Sequence, residues 1–186
     1  MTDSMRLAGS GMLALTRDTL ATLRSALFRD LGGEAAGYLQ EAGYAGGAAL
    51  FDAFTAWAAE HGYGAPESMA AADFPRYASE FFGDLGWGAL ALGTLHETVA
   101  TLDSTDWGEA DPKSAMEFPS CHITTGIFAD FFGRLAGSPM AVMEVECRSM
   151  GAPRCRFLLG SAEALRRVYD EMSRGSAYDE AVATAR

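Results

Sequence analysis

Apolar residues recur at helical spacing through the first half of the chain and at strand spacing through much of the second. From Thr16 the positions Leu20, Leu23, Leu27 and Phe28 form one helical stripe, and Leu31-Gly32-Gly33 ends it with glycines that suit a C-terminal cap. Residues 34–62 read as one long helix or two shorter ones, with Ala35, Leu39, Ala42, Leu50, Phe51, Phe54, Trp57 and Ala58 inward and an interruption expected near Gly46-Gly47. A further helix is expected over Phe74 to Phe82, with Pro75 in its first turn and Gly83 as its stop. After Leu85-Gly86-Trp87-Gly88 the pattern alternates. Leu90 and Leu92, then Val99 and Thr101, predict a β-hairpin turning within Gly93 to Glu97. A core helix follows from Pro119 to Leu135, carrying Ile127, Phe128 and Phe131, with Pro119 placed in its first turn. Val142 to Cys147 and Arg154 to Leu159 predict a second hairpin, after which Ser161 caps a helix carrying Leu165, Val168, Tyr169 and Met172; a short last helix begins near Ser176.

The resulting fold class is α+β: N-terminal helices, an antiparallel sheet of about four strands, and a core helix packed on it. The expected organisation is an arm over 1–15, one domain over 16–160, and C-terminal helices over 161–186 packed against that domain.

Composition narrows the function. With 49% apolar and 21% charged residues the chain has the makings of a packed core and lacks the signature of disorder. The net charge of −11 is carried with no Lys/Arg stripe, so no direct nucleic-acid partner is expected. Apolar runs are broken well short of the roughly 20 residues that span a bilayer, and the start lacks a signal-peptide pattern, so the expected location is the cytoplasm. Three cysteines, an odd number, put metal or thiol chemistry ahead of cross-linking there.

The strongest local signal is Glu144-Val-Glu-Cys147-Arg-Ser-Met-Gly151-Ala-Pro-Arg-Cys155-Arg-Phe157. A hairpin centred on Gly151 places Cys147 opposite Cys155 with Cβ atoms roughly 4.5–5.5 Å apart. Both sulfurs then reach one ion at a Zn–S distance of about 2.3 Å. Glu144, three residues before Cys147, needs a β-bulge or an early turn to join them, and Glu146 is a rival on the same strand face as Glu144. Cys121 at the start of the core helix supplies a further thiolate, with His122 as the competing donor. Three thiolates and a carboxylate around a divalent ion leave a site charge of about −2, for which Arg148, Arg154 and Arg156 are the expected counter-charges. The competing readings are unliganded core cysteines, a Cys147–Cys155 disulfide, and a redox-sensitive thiol pair.

Pro119-Ser-Cys121-His122-Ile-Thr-Thr-Gly126, Glu144-x-x-Cys147 and Gly151-x-x-x-Cys155-x-Phe157 together resemble the 4-vinyl reductase domain family. That family includes sensor domains of aromatic-responsive activators, bacteriochlorophyll-biosynthesis accessory proteins and, more distantly, TRAPP-type vesicle-tethering subunits. The likeness runs from about Leu20 to Leu159 and takes in Leu85-Gly86-Trp87-Gly88. It implies the ligand-binding fold shared by nitric-oxide-signalling and Golgi-transport domains. It also implies a zinc held by Cys121, Glu144, Cys147 and Cys155, favouring Glu144 over Glu146. Four protein ligands leave no open position, which makes such a zinc structural.

A ligand pocket is expected among Phe54, Trp57, Trp87, Trp107, Phe118, Phe128 and Phe131, with Trp107, in a polar loop, at its rim or at an interface. The simpler reading of each aromatic is core filling. His61 and His96 have no partner set for nucleophilic catalysis, and no Gly-rich phosphate loop is present, so no catalytic residue is assigned. The leading expectation is a zinc-containing domain that binds or senses a small apolar or aromatic molecule as a homodimer, without an output region of its own. The alternatives are a tetrapyrrole-pathway accessory protein that holds a chlorophyll precursor, and a structural protomer that holds an acyl chain.

Overall fold

The computed structural model describes residues 11–184. The arm read over 1–15 therefore lies mostly outside the described residues, as do the last two residues of the C-terminal segment. Within the described residues, six α-helices and four strands follow in the order α1 (Arg17–Leu31), α2 (Ala35–Glu60), α3 (Phe74–Asp84), β1 (Ala91–His96), β2 (Val99–Ser104), α4 (His122–Ala136), β3 (Ala141–Glu146), β4 (Cys155–Gly160), α5 (Ala162–Ser173) and α6 (Tyr178–Thr184). The strands form one antiparallel sheet in the order β1-β2-β4-β3. Each hairpin pairs neighbours in sequence, and the two hairpins join where β4 docks against β2.

Local chemistry sets the ends of these elements. Thr16 caps α1 by accepting from the Thr19 amide, and Ser161 caps α5 by accepting from Ala164. Pro75 lies in the first turn of α3, where its missing N–H costs no hydrogen bond; the helix runs through Gly83 to Asp84. Pro119, expected inside the core helix, precedes it: α4 begins at His122, after its N-cap Cys121.

The interruption expected at Gly46-Gly47 is absent, and α2 continues for 26 residues. The α2 glycines serve an interhelical contact instead. A Cβ on Gly43 would lie 2.0 Å from the Ile123 carbonyl oxygen, one on Gly126 of α4 would lie 2.0 Å from the Gln40 carbonyl oxygen, and one on Gly47 would strike the Asp130 side chain. Missing side chains let the two backbones touch, and that close crossing holds α4 against α2.

Two apolar layers result. On one face of the sheet, α2, α3 and α4 pack on Leu102, Phe157 and Leu159, forming a core of Phe54, Phe81, Phe82, Phe128, Phe131 and Phe132. On the other face, Val99 and Leu158 pack with Leu165 and Val168 of α5 and Val182 of α6. The alternation of β4 (Cys155, Phe157 and Leu159 to one face, Arg156 and Leu158 to the other) produces both layers. Helix α1 is less embedded: Leu23, expected inward, is 50% exposed, and the one buried side chain of the helix is Arg24.

Candidate metal centre

The second hairpin does not keep one register. Glu146 pairs with Arg156, as a turn centred on Gly151 requires, but Glu144 pairs with Phe157, so the strand gains a residue between them. This β-bulge turns Glu144 to the helical face beside Phe157 and Glu146 to the opposite face. Cys147 is already beyond the strand, at the entry of a 3-10 turn over Arg148–Met150, with Gly151 following at φ 86°. Both routes by which Glu144 was expected to join the cysteines are thus used.

Cys121 reaches the same place from the N-cap of α4. A Ser, Thr, Asp or Asn there would close its own helix end. The Cys121 side chain makes no capping bond, and Glu109 performs that task from the preceding loop. Its carboxylate accepts from the amides of Ile123 (3.0 Å) and Thr124 (2.7 Å). The thiol of Cys121 is left free for the cluster.

The sulfur of Cys121 lies 3.8 Å from that of Cys147 and 3.9 Å from that of Cys155. These are far beyond disulfide bonding, and all three cysteines are free and buried. A tetrahedral ion with Zn–S bonds of about 2.3 Å separates its sulfurs by about 3.8 Å. Glu144, 9% exposed, completes the set, with the four donor atoms within 4.8 Å of one another. One of its oxygens accepts from the Cys121 amide at 2.8 Å, while Oε1 is buried without a hydrogen-bond partner. A buried, unpartnered carboxylate oxygen beside three thiols at this spacing fits a divalent cation.

Electrostatics agree with that reading. With no ion bound, burial pushes the Glu144 carboxyl up to about 9, and the nearby Cys147 charge adds to the shift. Burial likewise drives Cys121 well up, whereas the Cys121 and Cys155 thiols hold Cys147 low by donating to it. The expected counter-charges sit elsewhere. Arg154 binds Glu146 with two 3.0 Å hydrogen bonds, and Arg156 binds Asp103, both on the outer face of the sheet. Near the sulfurs, compensation comes from the α4 N-terminus and from Ser120 Oγ, 3.8 Å from the Cys147 sulfur. His122, the competing donor, packs its ring against Phe28 of α1, outside the cluster.

The seven candidate pocket residues divide. Phe54, Trp57, Trp107, Phe128 and Phe131 are buried in the aromatic core, and Trp87 stacks on Trp107 at 5.6 Å. Trp107 is 1% exposed, so it is neither rim nor interface, and its polar loop folds inward because the indole N–H donates to Thr124 Oγ1 at 2.7 Å. Phe118 stands apart, 68% exposed. Arg24 and Glu109 were missed by the sequence reading. A signal existed in Arg24 lying between Leu20 and Leu27 on the stripe of α1, where a charge interrupts an apolar row.

Residues 112–161 match the 4-vinyl reductase domain family. The matched segment contains all four residues of the cluster and bears out the resemblance read from the sequence. The whole fold is similar to the phenol-responsive sensory domain of the transcription activator PoxR, solved with phenol: 19% identity, TM-score 0.65, covering 87% of this chain and 82% of that one. A vinyl-4-reductase family protein from Methanocaldococcus jannaschii matches at 16% identity and TM-score 0.53 over 80% and 83% of the two chains. A trafficking protein particle complex subunit 3 from Naegleria fowleri, covalently bound to palmitic acid, matches at 12% identity and TM-score 0.55 over 77% and 91%. At these identities the likeness carries the fold, a mixed helical and four-stranded antiparallel architecture. No curated protein matches the sequence. Among the described residues no helix is long and apolar enough to cross a membrane.

Proposed function

We propose that this chain is a ligand-sensing domain in which Cys121, Glu144, Cys147 and Cys155 hold one structural zinc. The observation that carries the proposal is the cluster itself: three free thiols at tetrahedral spacing and a buried carboxylate oxygen without a partner. The ion would fasten three chain segments: the start of α4, the end of β3 and the start of β4. Phe128, Phe131 and Phe132 stand on the same α4. The clip therefore fixes the helix that forms one wall of the aromatic layer. The proposed ligand is a small apolar or aromatic molecule seated in that layer, in keeping with the phenol of the PoxR sensory domain.

Metal analysis and native mass spectrometry under reducing conditions test the metal reading. One zinc per chain is expected in the wild type and a loss of metal in Cys155→Ala; a wild type without zinc overturns it. Thermal shift with toluene tests the ligand reading. A concentration-dependent rise in Tm is expected, because a ligand that binds only the folded state stabilises it.

A further inference from the structure

The buried side chain of α1 is an arginine, and its partners lie beside the metal centre. Arg24, 6% exposed, donates from one guanidinium nitrogen to the Glu109 carbonyl and from the other to the Ser120 carbonyl at 2.5 Å. Its Nε lies 3.5 Å from the Glu109 carboxylate, which caps α4. Ser120 directly precedes Cys121, and its hydroxyl faces the Cys147 sulfur. The apolar positions of α1, Leu20, Ala21, Ala26, Leu27 and Phe28, are only partly buried. Attachment of the helix thus depends on the guanidinium to an unusual degree.

We infer that Arg24 is a positioning residue for the metal site, and that docking of α1 and metal occupancy are coupled through the Arg24–Ser120–Cys121 link. This inference rests on the metal reading of the cluster. An ion on the Cys121 sulfur fixes the Ser120-Cys121 segment and thereby the carbonyl that Arg24 grips. The same grip holds Cys121 in place for the ion. Such coupling is reciprocal: metal strengthens docking of α1 by the factor by which docking strengthens metal binding. Two carbonyls held by the fork of one guanidinium are a geometry lysine does not reproduce.

The test uses zinc alone, titrated against a chromophoric chelator, together with hydrogen exchange along the full chain. Arg24→Met and Arg24→Lys should each weaken zinc binding about 10–100-fold, the usual effect of losing a group that orients a ligand. In the unmodified protein, stripping zinc should speed exchange of the Arg17–Leu31 amides while α5, across the sheet, keeps its protection. This second measurement needs no variant, so misfolding of Arg24→Met would not obscure the answer. Wild-type zinc affinity in both variants overturns the inference, as does α1 exchange that is unchanged when zinc is removed. A wild type that binds no zinc overturns it together with the metal reading. Zinc bound in the wild type with α1 indifferent to it overturns the coupling alone.

Discussion

Glu144 and Glu146 are two positions apart, which on a regular strand keeps two side chains on one face, yet the bulge after Glu144 sends them to opposite sides of the sheet. Glu146 meets Arg154 and the Tyr178 hydroxyl, which donates to it at 2.6 Å. Burial raises the Glu146 pKa, but the Arg154 and then the Tyr178 hydrogen bonds outweigh that and hold it below the usual 4.5. A carboxylate with a depressed folded pKa contributes stability that is present above the unfolded value and is lost as pH falls through the folded one. Glu146→Gln should therefore cost about 1 kcal/mol in urea denaturation at pH 7. The difference from wild type should shrink as pH drops below about 4.5, with zinc content at neutral pH unchanged. Glu144→Gln should behave the other way round. It keeps an acceptor for the Cys121 amide but loses the anionic donor, so zinc affinity should fall roughly 100-fold or more, about a quarter of a four-ligand binding energy. Competition with a chelator measures it, and equal affinities for the two glutamine variants would contradict the assignment of Glu144.

At the scale of elements, the α2–α4 crossing makes neighbouring glycines unequal. Gly46 has open space where a Cβ would stand, whereas Gly43 faces the Ile123 backbone. Gly46→Ala should stabilise the protein by up to about 1 kcal/mol through helix propensity. Gly43→Ala should destabilise it by about 1–3 kcal/mol or more, since two backbones must separate. Paired denaturation curves distinguish this from a uniform effect of glycine on the helix. The crossing also marks where reading the sequence stops. Helical periodicity placed α1, α3 and α5, and alternation placed both hairpins, because each depends on neighbours in the chain. The roles of Gly43, Gly47 and Gly126 depend on contacts between distant segments, so a pair of glycines read as a break. The metal cluster was legible for the same reason the hairpins were: Cys147 and Cys155 follow from a local turn. The spacing of Glu144 to Cys147 demanded an irregularity that the bulge supplies. Arg24, Glu109 and Thr124 come from three separate segments and meet only once α4 has docked. Nothing local to any of them announces that meeting.

At the scale of the whole molecule, the aromatic layer is continuous from α2 through α3 and α4 to β4. Phe54 touches Phe81, Phe82 touches Phe128, and Phe128 meets both Trp107 and Phe157 edge-on or tilted, at ring distances of 5.2–5.5 Å. The polar atoms that border it are already engaged. The Trp57 indole donates to Asp84 at 3.0 Å, and the Trp107 indole donates to Thr124. Thr124 in turn donates to Glu109 at 2.5 Å. Among the described residues the buried side-chain nitrogens and oxygens without a hydrogen-bond partner are Arg24 Nε, beside Glu109, and Glu144 Oε1, in the metal cluster. A ligand entering among the rings therefore finds carbon to pack against and no spare partner for a hydroxyl. Toluene should bind more tightly than phenol, by up to about 100-fold, the range in which an apolar site rejects an added hydroxyl. Thr124→Val tests the cause. Without the threonine oxygen the Trp107 N–H loses its acceptor, at a cost of about 1–3 kcal/mol in the unliganded protein. A phenol oxygen can then replace that acceptor. Isothermal titration of both ligands should show the toluene preference narrowing or reversing in Thr124→Val. A preference that stays the same would mean that the indole does not face the ligand and that specificity is set elsewhere in the layer.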